Sequence, residues 1–193
     1  MSDFSTLIAR AEALLARLEA VLPQPPAAPD WSASIAFRYR RRGTGGGVLE
    51  PVRQVAPLRL ADLKEVDGQK ERLVRNTAQF VAGRPANNVL LTGARGTGKS
   101  SLIKACLNEF ADRGLRLIEV DKDDLTDLPD LVALVGERPE RFIIYCDDLS
   151  FDEGESGYKA LKSILDGTIA QASDNVLICA TSNRRHLLPE QMK

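Results

Sequence analysis

Histidine is almost missing from this chain: His186 stands alone among 193 residues, which all but excludes an imidazole-based catalytic triad or a histidine-rich metal centre. Its default place is a polar surface or an interface. Cysteine is scarce as well. Cys106, Cys146 and Cys179 are odd in number, widely spaced and set in apolar runs, so they read as reduced core thiols and point to the cytoplasm. Neither charge is in excess: 26 Lys and Arg against 27 Asp and Glu leave a net charge of -1, with no global pull toward nucleic acid or anionic membrane. No uninterrupted apolar run approaches membrane-spanning length, and the opening "MSDFSTLIAR" mixes charges into what a secretory signal would keep apolar. The expectation is a soluble protein without a membrane partner. With 44% hydrophobic residues it can bury one substantial core, most simply as one α/β domain with an N-terminal extension.

Residues 1–22 carry Phe4, Leu7, Ile8, Ala11, Leu14, Leu15, Leu18 and Leu22 at three- and four-residue spacing, which predicts an amphipathic helix. Docking on its own domain, pairing with another subunit and binding a partner all remain open for it. "PQPPAAPD", residues 23–30, is a stiff linker, because each proline removes a donor and fixes φ. From Trp31 to about Val55, apolar and basic residues alternate on either side of a glycine cluster, which predicts a β-hairpin; linker and hairpin are taken together as a segment over 23–57. Over 58–193 short apolar runs alternate with helical patterns, so crossover connections and a parallel sheet covered on both faces are expected. No internal repeat stands out.

"GARGTGKS", residues 93–100, fits the pattern G-x-x-x-x-G-K-[ST] and lies between an apolar strand and a helix, where the chemistry needs it. Gly93, Gly96 and Gly98 free the backbone to turn its N–H groups inward, where the helix N-terminus joins them in an anion cradle. The expected nucleotide contacts are Gly93, Ala94, Arg95, Gly96, Thr97, Gly98, Lys99, Ser100 and Ser101. Lys99 would meet the β- and γ-phosphates and Ser100 would offer its hydroxyl to Mg²⁺. A later strand, "FIIYCDD", ends in Asp147 and Asp148; a carboxylate at the end of a buried strand is costly unless something binds it, and Asp147 is the expected magnesium partner.

These stretches, with a further strand ending "ATSN", resemble the Walker A, Walker B and sensor-1 elements of AAA+ ATPases, in the same order. "LADLKEVDGQKERLVRNTAQF" is similar to the segment that packs near adenine in that superfamily, with Gly68 and Gln69 at its turn. More narrowly, "EVDKDDL", "YCDDLSF", "YKALKSILDG" and "ATSNRRHLLPE" resemble an uncharacterised bacterial family of AAA+ ATPases. The resemblance implies a parallel-sheet P-loop NTPase core over 58–193 that binds ATP with Mg²⁺ and hydrolyses it, Asn183 orienting the attacking water or reading the γ-phosphate. It also implies a homo-oligomer, with a neighbouring subunit supplying an arginine finger. Asp148 falls where the superfamily usually has a catalytic glutamate. It is one methylene shorter, and Glu153 and Glu155 in the following loop are its alternatives as base, with a helix cap or a loop salt bridge as its structural role. The chain stops at "HLLPEQMK", before the finger, the fifth strand and the helical lid of the superfamily, so truncation is the expectation.

Two weaker signals have bland readings. "DKDDLTDLPD", residues 121–130, crowds five aspartates that fit caps and turns better than an EF-hand. Phe37, Arg38, Tyr39, Arg40, Arg41 and Arg42 interleave aromatic and basic residues as some single-strand binders do, though a solvated hairpin face fits the neutral chain better. The rival functions are a non-hydrolysing nucleotide-dependent switch or DNA-associated loader, and, last, a small-molecule phosphotransferase.

Overall fold

The structure, a computed structural model, describes residues 2–21, 29–41, 47–151, 155–165 and 174–183. An N-terminal helix, α1 (Ser2–Val21), precedes the hairpin strands β1 (Ala36–Arg41) and β2 (Gly47–Pro51). The chain then alternates through α2 (Asp67–Val81), β3 (Val89–Thr92), α3 (Lys99–Phe110), β4 (Leu115–Glu119), α4 (Leu128–Val135), β5 (Arg141–Cys146), α5 (Ser156–Leu165) and β6 (Val176–Ser182). The six strands form one sheet in the order β2-β1-β4-β5-β6-β3, parallel throughout except for the β1–β2 hairpin. The α/β fold with a parallel sheet flanked by helices is the one the sequence predicts.

Strand period and burial explain the two cores. On β5, Phe142, Ile144 and Cys146 face a cluster that includes Leu128, Leu131 and Val135 of α4 and Leu161 of α5. Ile143 and Tyr145, one step out of phase, face Ile103, Cys106, Leu107 and Phe110 of α3 and Leu73 and Phe80 of α2. Side chains alternate across a strand, so a run buried on both faces must be apolar at every position, as "FIIYC" is.

The expected boundary at 57 and 58 does not coincide with an edge of the sheet. β1 pairs in parallel with β4 through Ala36, Phe37 and Arg38, and buried Phe37 and Tyr39 join the α4-side core, so the hairpin extends the sheet. Gly47 permits this packing, because a Cβ there would lie 1.9 Å from the Tyr39 ring. The hairpin arginines are paired with acids: Arg38 with Glu119 at 2.9 Å, Arg40 with Glu50 at 3.5 Å, and Arg41 with Asp127. That pairing removes most of the positive charge a single-strand binder would present. Arg42 and residues 43–46 lie outside the described residues.

The aspartates of 121–130 do not cap as expected. Residues Lys122–Asp127 form a 3-10 turn leading into α4, and neither Asp121 nor Asp127 makes a side-chain cap bond. Asp127 is drawn to the hairpin instead, accepting from the Tyr39 hydroxyl at 3.0 Å and from Arg41 Nε at 2.9 Å. A charged donor outcompetes a helix N–H for the same carboxylate. Among the described residues no helix is long and apolar enough to cross a membrane.

Candidate nucleotide-binding site

The carboxyl ends of β3, β5 and β6 converge on one edge of the sheet, where ligands of open α/β sheets bind. After Thr92 the chain turns through residues 93–98 and enters α3 at Lys99. Gly96 has φ +84° and Gly98 φ +81°, with nothing within 4 Å of the place a Cβ would take. Glycine is required here by backbone angle, not by crowding. A loop of this kind sets successive N–H groups around a concavity, and the positive end of α3 adds to it.

Lys99 Nζ donates to Gly93 O at 2.7 Å, Ala94 O at 2.8 Å and Asn183 Oδ1 at 3.0 Å, which occupies all three ammonium protons. Thr97 Oγ1 donates to Ala94 O at 2.9 Å and closes the loop on itself. One residue further, Ser100 Oγ donates to Asp147 Oδ1 at 2.9 Å. Strand alternation accounts for that contact: Asp147 continues the Ile143–Tyr145 face of β5, the one covered by α3.

The Asp147 carboxylate is also met by the Thr181 hydroxyl and, at 3.2 Å, by the Asp148 N–H. Burial works to raise its pKa, yet the donors converging from Thr181, Ser100 and the Asp148 N–H outweigh it and hold the group below the usual carboxylate range. The Tyr145 hydroxyl is buried beside this cluster but makes no well-formed hydrogen bond. Asp148 sits in the left-handed region at φ +50°. The tail of β6 pins this turn, with Asp148 N–H donating to Thr181 Oγ1 at 2.8 Å and Leu149 N–H to Thr181 O at 2.7 Å. Asn183 Nδ2 donates to Asp148 Oδ1, so Lys99, Asn183 and Asp148 form one chain of contacts.

Two clefts meet at the loop, since Gly98 and Lys99 line both. One, of about 380 Å³, holds Arg95, Ser100, Ser101, Asp147, Asp148 and Asn183. The other, of about 820 Å³, runs between α2 and β3 past Gln69, Arg72, Asn76 and Gly93. Gln69 is thus brought to the site. Gly68 is not: it lies in the first turn of α2 rather than in a loop turn and lines neither cleft. Glu155 pairs with Lys122 at 2.9 Å and lines neither cleft. Glu153, Arg184, Arg185 and His186 lie outside the described residues. Thr181 is the polar residue the sequence reading passed over; it stands two residues before Asn183, on the same strand face, and that period was the available signal.

The glycine loop between β3 and α3, the paired hydroxyl and carboxylate at Ser100 and Asp147, and the parallel sheet define a P-loop NTPase fold of the AAA+ type. The chain belongs to the family described as "Protein of unknown function (DUF815)", whose model matches residues 32–193 and so takes in the hairpin. Among solved structures it is similar to a Thermotoga maritima RuvB variant, at TM-score 0.50 and 16% identity, over 70% of this chain and 45% of that one. It is also similar to a chain of the E. coli HORMA:CdnC:Trip13 complex, at TM-score 0.50 and 15% identity, over 69% of this chain and 57% of that one. At such identity the likeness is one of fold. The chain spans about half the length of these structures. A comparison with curated proteins finds no match.

Proposed function

We propose that this domain binds ATP with Mg²⁺ and hydrolyses it, coupling the reaction to a conformational change in a partner protein. The observation that carries this reading is the Ser100 Oγ to Asp147 Oδ1 contact of 2.9 Å beside a lysine anchored on a glycine loop. Both are hard oxygen donors, and a carboxylate with a lowered pKa stays ionised at neutral pH, as a magnesium site requires. Bound Mg²⁺ would neutralise charge on the β- and γ-phosphates.

The rest falls to the chain's own residues. The N–H groups of residues 94–100 hold the phosphates, and Lys99 exchanges the carbonyls of Gly93 and Ala94 for phosphate oxygens. The base and ribose lie in the larger cleft, where Gln69, Arg72 and Asn76 offer polar contacts. Asp148 takes the proton of the attacking water, and Asn183, already bonded to it, orients that water. The full-length protein acts as a homo-oligomer in which a neighbouring subunit supplies an arginine toward the γ-phosphate.

Equilibrium binding of a fluorescent ATP analogue, with Mg²⁺ or with EDTA, tests the assignment. Lys99→Ala is expected to weaken binding at least about tenfold, ~1.4 kcal/mol, and Ser100→Ala to remove the Mg²⁺-dependent part. Unchanged affinity in both would contradict it. A second reading has one observation in its favour: Asp148 is short and already engaged by Asn183, which suits a switch that holds ATP without cleaving it. Tight binding without phosphate release distinguishes that case.

A further inference from the structure

Apart from the nucleotide site, α1 is the feature the proposed function leaves unexplained. Every side chain described on it is exposed, including Phe4 at 73%, Leu7 at 65%, Leu14 at 60% and Leu15 at 58%. Each such side chain left in water forgoes about 1.5–3 kcal/mol of burial. In proteins most of the stability of a helix such as this one, 20 residues long, comes from packing its amphipathic face rather than from propensity.

The sequence of the helix says what kind of partner fits. Contrary to the expectation of no internal repeat, "LIARAEA" over residues 7–13 and "LLARLEA" over 14–20 agree at five of seven positions. With Ile8 and Leu15 at heptad position a, Phe4, Ala11 and Leu18 fall at d and Leu7 and Leu14 at g. Apolar residues locked to a seven-residue period make a seam that matches another helix of the same period. The charges follow the same period. Arg10 and Arg17 stand immediately before a d position and Glu12 immediately after one, so they lie about 100° to either side of the apolar face, on opposite edges.

Symmetry then selects both partner and direction. Identical helices packed in parallel bring unlike edges together, arginine against glutamate. Antiparallel packing brings like edges together and sets arginine against arginine. We propose that α1 is a homotypic association element whose apolar face packs in parallel on α1 of a second copy, with Arg10 and Arg17 along Glu12 of the neighbour. Fewer than three full heptads make a weak contact alone, so its effect is to tighten whatever other contact the copies make, by raising effective concentration. This inference does not rest on nucleotide chemistry, and Lys99→Ala is expected to leave it intact.

Sedimentation velocity on the full-length protein tests it. The parent is expected to self-associate below about 0.1 mM. Reversing one edge, by Arg10→Glu with Arg17→Glu or by Glu12→Arg with Glu19→Arg, is expected to weaken association about tenfold or more, and mixing the two variants to restore it. Far-ultraviolet circular dichroism checks that each variant keeps its fold. Direction is read with Phe4→Cys: under an added oxidant parallel copies join through position 4, whereas fully overlapped antiparallel copies hold those positions about 20 Å apart, beyond disulfide reach. A parent that stays monomeric, association indifferent to the reversals, or no disulfide between associated copies would overturn the proposal.

Discussion

The side-chain amide nitrogen of Asn183 donates to Oδ1 of Asp148, while its carbonyl oxygen accepts from Lys99 at 3.0 Å. That orientation satisfies both charges, since only the NH₂ can meet a carboxylate and only the oxygen an ammonium. Asn183 therefore ties Lys99, the lysine proposed to meet the phosphates, to the proposed base. Asn183→Ala is expected to lower turnover on the order of 10²-fold while ATP affinity changes only a few-fold. Steady-state kinetics with a parallel binding titration separates the two effects.

Asp148 occupies φ +50°, a conformation that aspartate and asparagine tolerate better than longer residues. The backbone thus gives a reason for aspartate where the superfamily resembled here carries glutamate. Asp148→Asn should leave stability within about 0.5 kcal/mol of the parent, whereas Asp148→Glu should cost about 1 kcal/mol. Urea denaturation at constant m-value measures both.

Asp127 ties the hairpin to the 3-10 turn that leads into α4, through Tyr39 and Arg41. Asp127→Ala removes the acceptor of a buried phenol and of a guanidinium, and is expected to destabilise the domain by about 1–3 kcal/mol. Arg40→Ala, whose partner Glu50 lies 3.5 Å away on an exposed surface, should cost less than about 1 kcal/mol. Equal costs at the two sites would show that the hairpin is not anchored as described.

The thiols set an alkaline limit. Burial pushes Cys106 and Cys146 from the ordinary 9.0 up to about 12, and Cys179 is raised by the same cause. The unfolded chain releases these protons first, so their contribution is intact below about pH 9 and is lost as pH climbs toward 12. Denaturation at about pH 8 and about pH 10 should show falling stability, with a shallower fall in Cys146→Ala, and native thiols should resist alkylation at about pH 8.

Much of this was legible in sequence because the signals were local. The glycine loop before α3, the apolar run of β5 ending in two aspartates and the polar end of β6 each announce themselves by composition and period. What stayed hidden depends on contacts distant in sequence. The pairing of β1 with β4 joins residues about 80 positions apart, so no window reveals that the hairpin continues the sheet. Asp127 looked like a cap because its rival partners, Tyr39 and Arg41, are equally remote. Asp148 shows its identity in sequence but not its left-handed backbone, in a turn that is bonded to the remote Thr181.

The most direct test of the central claim is the rate of phosphate release from ATP with Mg²⁺ by the full-length protein, measured beside Asp148→Asn. The proposed chemistry predicts turnover in the parent and a loss of at least about 10²-fold in the variant, with ATP still bound by both. Equal rates in the two would contradict the role given to Asp148, and binding without release in the parent would make the site a switch.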